Sequence, residues 1–538
     1  MNMTLMFVLG LAPIIWLVIA LTYLKIPGYK ACASAMVIAF TLATLVWKMP
    51  LLDSFTAVLE GVSLAIWPII VVIIAAMFTY NVCLHTGSME VIKKMLTSFT
   101  NDKRIIVLII AWGFGGFMEG MAGFGTAVAI PASMLWALGF NPVFSAIVCL
   151  IANATPTAFG SIGIPTTTLA KVAGLDPMSL ATATVIQLAP FIILTPFIMV
   201  YLTGKFEGNA KKSFKGVGII TLISGLSFLV PEYLVAKYIG AELPVVIGSV
   251  FSMVCTIMAA KFFGKGNVIP EFSMKNSKEI SNEAAISTAS SLKVENKQKS
   301  NLNITKKEAL KAWSPFILIF IFLIGTSKVV APINGILSTL KTTVHIYTGD
   351  GAAPYVFSWV TTPPIWIAVS AFIGGMIQGA KFNELCGVLK KTFFQMKNTM
   401  ITLLTILSTA KLMGYSGMIS SIANMLVALT GPYYPLISPT LGCLGTFVTG
   451  SGTSSSVLFG GLQSQTAIAL NYDPTWIAAS NTAGVSAGKM ISPQSIAIAV
   501  GASNLPGKEG ELLKGTIKWS VLFLVGYGIL NYIGVQLF

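Results

Sequence analysis

Residues 113–125 read GFGGFMEGMAGFG, and residues 449–456 read TGSGTSSS. The first holds six glycines, Gly113, Gly115, Gly116, Gly120, Gly123 and Gly125, in a chain that is otherwise lipid-soluble. Glycines in such a setting either let helices pack closely or let backbone unwind where it faces a cavity. Their density favours unwinding. A dinucleotide fingerprint is excluded, because the spacing is wrong and no βαβ unit surrounds it. In the second stretch eight small or hydroxyl residues follow one another and cannot face lipid. Phe447 and Val448 precede them and Val457 to Leu462 follow, so they form the tip of an apolar hairpin rather than a surface loop. Their hydroxyls and freed N–H groups can cradle an anion.

The rest of the chain agrees with a membrane setting. Of its 538 residues 55% are hydrophobic and 10% charged, with a mean hydropathy of +0.82. A soluble protein carries about 25% charged residues. Apolar runs of about 20 residues, the length of a bilayer span, recur along almost the whole chain. They are continuous, unlike the short alternating strands of a barrel. The sequence therefore predicts an all-α polytopic membrane protein of about 12 to 14 spans. The first lies near Leu5 to Leu24, and reads as a span rather than a cleavable leader. Further spans lie near Ala31 to Trp47 and Val62 to Leu84, and the last near Val521 to Leu537. The net charge of +15 comes from lysines clustered in short loops, the positive-inside pattern, and not from a nucleic-acid surface. Lys25 and Lys30, Lys93 to Arg104, Lys205 to Lys215, Lys381 to Lys397 and Lys508 to Lys518 mark the cytoplasmic side, which puts both termini outside.

Two halves resemble each other. Thr86-Gly87 matches Ser416-Gly417, Gly120 and Gly125 match Gly450 and Gly452, and Asn153 with Pro165 matches Asn481 with Pro493, all at offsets of 327 to 330. The basic loop follows the first Thr/Ser-Gly helix and precedes the second, so the copies should cross in opposite directions. An inverted repeat with broken helices and re-entrant hairpins is the plan of a secondary transporter, with its site where the repeats meet. We expect a first repeat over 1–203, inter-repeat spans over 204–263, a flexible cytoplasmic loop over 264–312 and a second repeat over 313–538.

Charges at membrane depth are costly and usually functional. Glu119 lies in the first glycine-rich break and Lys489 in the last. Lys411 lies far into an apolar run and either snorkels outward or has a structural partner. Asn153 and Asn481 can cap interrupted helix ends or offer amides to a ligand. The six cysteines form no CxxC pair and the two histidines stand apart, so no metal, zinc or disulfide framework is indicated. No HExxH, Ser-His-Asp or Walker pattern is present, so no catalytic residues and no cofactor are expected.

The segments GFMEGMAGFGTAVAIPA (116–132), NATPTAFGSIGIP (153–165), TGSGTSSSVLFGGLQ (449–463) and NTAGVSAGKMISPQSIAIA (481–499), with GKEGELLK (507–514), resemble the L-lactate permease family of bacterial proton-coupled carriers over nearly the whole chain. The resemblance implies a plasma-membrane carrier taking up L-lactate, glycolate and related short 2-hydroxymonocarboxylates with a proton. It also implies membership of a large ion-transporter superfamily whose members often work as elevator homodimers. Lys411 departs from it, standing where an apolar or aromatic residue is expected. The only arginine, Arg104, falls in a cytoplasmic loop, so no guanidinium is available to grip a carboxylate. Gly120, Gly123 and Thr126 from one hairpin, and Ser451, Thr453, Ser454 and Ser455 from the other, are the candidate contacts. Lys489 joins them for the carboxylate, with Asn153, Thr155, Asn481 and Thr482 for the 2-hydroxyl and Glu119 for the coupling proton. A sodium-coupled carrier and an anion channel are the alternatives.

Overall fold

The computed structural model describes residues 3–24, 26–96, 99–123, 125–263, 269–274, 305–326, 330–349, 354–505 and 508–537. Helices dominate it. Among the described residues the only strands are Lys341–Val344 and Tyr355–Ser358, paired antiparallel. Among the described residues eight helices are long and apolar enough to cross a bilayer, or ten if two bent pairs each count as one span. The sequence suggested more because several apolar runs are too short as helices. Thr126–Ala137 and Pro493–Ala502 cover less than about 20 Å at 1.5 Å per residue, and they belong to a hairpin and a broken helix. Leu51–His85, by contrast, runs as one 35-residue stretch. It bends at Trp67, whose φ of −121° and ψ of 120° are not helical. That residue precedes Pro68, which has no N–H to continue the helical hydrogen bonding.

The element order repeats. A helix–turn–helix at Thr86-Gly87 is followed by the hairpin Lys103–Met121 and Thr126–Ala137. Next come the broken helix Pro142–Ala152 and Gly160–Ala173 and the long helix Pro177–Phe206. A second helix–turn–helix at Ser416-Gly417 leads to the hairpin Tyr434–Thr449 and Gly452–Ala469. The broken helix Pro474–Lys489 and Pro493–Ala502 and the helix Glu509–Gly534 follow. Helices Gly218–Tyr238 and Pro244–Phe263 lie between the halves in sequence. They pack against the first hairpin's long arm, where Gly116 meets Phe228 and Ser249 and Gly113 meets Met253.

That packing corrects the reading of the glycine run. Gly113, Gly115, Gly116 and Gly120 are helical, and a Cβ on Gly120 would lie 2.7 Å from Val246. They serve close helix packing, and only Gly123 and Gly125, both at positive φ, turn the chain.

The expected loop 264–312 is also partly built. Residues 264–268 and 275–304 lie outside the described residues. Residues 269–274 form a strap over the loop before the first hairpin. Asp102 bridges to Ser273, Met274 N–H donates to the Asn101 carbonyl at 2.9 Å, and Lys212 pairs with Glu271 at 2.8 Å. Residues 306–312 are helical, because Thr305 and Glu308 form a capping box: the Thr305 N–H donates to Glu308 at 2.9 Å and the Glu308 N–H to Thr305 at 3.2 Å. Arg104 is fully buried beneath the strap. It pairs with Asp102 at 2.7 Å, donates to the Ser213 and Lys215 carbonyls, and lies 4.3 Å from the Phe272 ring centre.

Candidate functional site

Both hairpin tips and both helix breaks meet at a cavity of about 470 Å³. Its wall is completed by the starts of helices Gly28–Leu45 and Lys397–Tyr415, through Gly28, Tyr29, Asn398, Thr399 and Thr402. Of the expected residues, Glu119, Ser451, Thr453, Ser454 and Lys489 line it.

Glu119 enters from the first hairpin. The facing wall is Gly160, where a Cβ would lie 2.6 Å from Glu119 Oε1. Only a residue without a side chain lets the carboxyl occupy this place. Glu119 Oε2 is buried and has no hydrogen-bond partner among the described residues. The Asn153 amide lies beside this carboxyl, yet neither of its polar atoms is bonded at good geometry.

Lys489 enters from the second break. Its ammonium donates to the Gly450 carbonyl at 2.9 Å. The Glu119 carboxyl and the Lys489 ammonium line the same cavity but do not make an ion pair within 4 Å. At the second tip, Ser451 caps the Gly452–Ala469 helix, its hydroxyl accepting from the Ser454 N–H at 3.2 Å. The N-terminus of that helix therefore faces the cavity with Thr453 and Ser454.

Other expected residues stand behind the wall. Gly120 packs on Val246. Gly123 holds the tip turn, with Ser161 directly against it, and Thr126 closes that turn by donating to the Gly123 carbonyl at 2.8 Å. Ser455 donates across the second hairpin to the Gly442 carbonyl at 2.9 Å. Asn153 is the C-cap of Pro142–Ala152. Asn481 caps nothing: it lies within Pro474–Lys489, and that helix ends at Lys489. Thr155, Asn481 and Thr482 are buried with unpartnered side-chain polar atoms, a state that ordinarily calls for a water or a ligand.

Several wall residues escaped the sequence reading. Thr157, Ser161, Thr449 and Gln494 lie inside the quoted motifs but were not singled out. Asn398, Thr399 and Thr402 form a polar face at helical spacing that the apolar average of their segment hides. Glu60 and Glu232, buried carboxyls in apolar helices, were also missed. Glu60 answers the question of Lys411. The two pair at 2.7 Å, with the Tyr415 hydroxyl donating to the same oxygen at 2.8 Å. Lys411 thus has a structural partner rather than snorkelling outward.

The L-lactate permease family model matches residues 6–538. The chain belongs to the L-lactate permease family. It is 45% identical to the L-lactate permease of Streptococcus iniae, over 88% of this chain and 93% of that one. It is 33% identical to the glycolate permease of Escherichia coli K12, over 98% and 95%. The L-lactate permease of Bacillus subtilis 168 is also 33% identical, over 100% and 97%. Among solved structures it is similar to Neisseria gonorrhoeae MtrF, at 12% identity and a TM-score of 0.49 over 94% and 95% of the two chains. This family member is a multi-pass membrane permease and not an enzyme.

Proposed function

We propose that the protein imports L-lactate, glycolate and related short 2-hydroxymonocarboxylates together with a proton. The observation that carries this reading is the open pair: a carboxyl and an ammonium on one small cavity, not in contact with each other, whose wall also carries hydroxyls and the start of helix Gly452–Ala469. The cavity is within the usual range for a small-molecule site, about 300–1,000 Å³. The substrate carboxylate goes to the Lys489 ammonium, where charge-assisted bonds are strongest. The 2-hydroxyl meets the neutral polar wall. Glu119 takes the coupling proton, so that an anion and a proton travel together and no net charge is left buried. The relatives named for lactate and glycolate support the substrate class. The cavity wall at Gly28, Tyr29 and Asn398 adjoins Lys30 and Lys397 in the first turns of their helices, which supports a cytoplasm-facing state. The two repeats cross the bilayer in opposite senses.

Proteoliposomes loaded at a fixed pH test it. An inward proton gradient should drive accumulation of labelled L-lactate above equilibrium, and an imposed sodium gradient at equal pH should not. Sodium-driven accumulation would transfer the coupling to sodium. Uptake that dissipates but never concentrates lactate would leave a channel.

A further inference from the structure

The two hairpin tips are tied down in the same way by residues of different charge. In the first half, the Ser161 hydroxyl donates to the Ala122 carbonyl at 2.9 Å. In the second, the Lys489 ammonium donates to the Gly450 carbonyl at 2.9 Å. Ala122 and Gly450 are 328 positions apart, and so are Ser161 and Lys489. Each donor lies where its broken helix departs from regular geometry. Ser161, Ile162 and Gly163 all have positive φ, and Lys489 is the last residue of its helix before the chain reopens at Pro493. Each acceptor carbonyl lies at a turn: Ala122 precedes Gly123 at φ +61°, and Gly450 itself is at φ +69°. The second tip is held from its other side by Gln494, which packs directly on Gly450.

We propose that these are equivalent latches, and that the substrate carboxylate opens only the second. The release step rests on the reading of the cavity as a carboxylate site. An ammonium that bonds a neutral carbonyl has a stronger partner in a carboxylate, above all in a site with little water. A short carboxylate in the cavity draws the Lys489 ammonium from Gly450 and leaves that carbonyl without a donor. The second tip then loses this hold and moves more freely, with Gln494 still packed on Gly450. Ser161 has no charge, so the same anion offers it no comparable exchange, and the first tip stays fixed. Lys489 is thus a positioning residue for the hairpin as well as a substrate contact, and the second hairpin is the gate that answers to substrate.

Hydrogen exchange by mass spectrometry on the purified full chain, with and without L-lactate, tests both parts. Without lactate, Lys489→Met should speed exchange across 449–455 by roughly tenfold, the worth of one hydrogen bond to a charged group. Lys489→Arg, which keeps a charged donor, should restore protection. Ser161→Ala should loosen 125–128 by roughly fivefold, as for a neutral bond, and leave 449–455 as it was. In the unmodified protein lactate should speed exchange across 449–455 and not across 125–128, and Lys489→Met should abolish that response. Unchanged protection of 449–455 in Lys489→Met would overturn the latch. Slower exchange there on adding lactate would overturn the release. If lactate gives no thermal shift in the unmodified protein, the release falls with the carboxylate reading, and the unliganded comparison of Lys489→Met still decides the latch.

Discussion

Two acid–lysine pairs, Glu60 with Lys411 and Glu119 with Lys489, are built differently. Glu60 and Lys411 touch at 2.7 Å, share a hydroxyl donor in Tyr415, and lie under the ring of Tyr347 stacked on Tyr415. Nearby, Thr348 donates to Asp53 at 2.6 Å and Tyr355, at the start of the second strand, to the Trp67 carbonyl at 2.8 Å. Glu119 and Lys489 face one cavity without touching, and Lys489 bonds a carbonyl instead. The closed pair neutralises itself and joins helix Leu51–Leu64 to helix Lys397–Tyr415. The open pair leaves both charges a site to fill. A buried charge held apart from its counter-ion is expensive, so the open arrangement points to ligand and proton, and the closed one to architecture.

The comparison is sharpest at Glu119. Glu119→Gln should abolish lactate accumulation driven by a pH gradient while leaving lactate–lactate exchange in proteoliposomes, because exchange moves no net proton. Adding Lys489→Met should not recover the accumulation; full pH-driven uptake by that double variant would make the open pair merely structural, like the closed one. Gly160→Ala comes next. Its methyl would stand 2.6 Å from the Glu119 carboxyl, and a displacement of that kind should lower the initial uptake rate by roughly a hundredfold with normal amounts of folded protein. At the closed pair, Lys411→Met strands Glu60, which is 3% exposed. It should cost about 3–5 kcal/mol of stability, read as a lower melting temperature. Glu60→Gln with Lys411→Met should recover most of this and still accumulate lactate. Loss of pH-driven uptake with normal melting in that double variant would give the closed pair a share in coupling. The smallest effect belongs to a place remote from both pairs: Thr305→Ala removes a cap, costs about 1 kcal/mol, and should leave the half-saturating lactate concentration unchanged.

The two hairpins and two breaks were legible because proline and clustered hydroxyls leave few options inside an apolar run. Glu119 and Lys489 were legible as charges close to a break, although Glu119 lies within the helix Gly115–Met121, short of the turn at Gly123, and Lys489 is the last residue of its helix. The purpose of individual glycines was not. Gly116 and Gly123 look alike in sequence, and only the neighbour decides, Phe228 in one case and a turn in the other. Nor could the sequence join Glu60 to Lys411, which are 351 positions apart and have no shared motif. Asn481 misled for a related reason. Its match to Asn153 is real in register, but the first break begins at Asn153 and the second only after Lys489.

Arg104 has a practical consequence for chemical labelling. It is the only arginine in the chain, and its guanidinium is enclosed by Asp102, three backbone carbonyls and the Phe272 ring. It does not line the cavity. An arginine-directed dicarbonyl reagent therefore has one address in this protein, under the strap. Inactivation by such a reagent reports on the strap's hold over the loop before the first hairpin, and protection by lactate would be an effect transmitted through the fold rather than a shielded substrate contact.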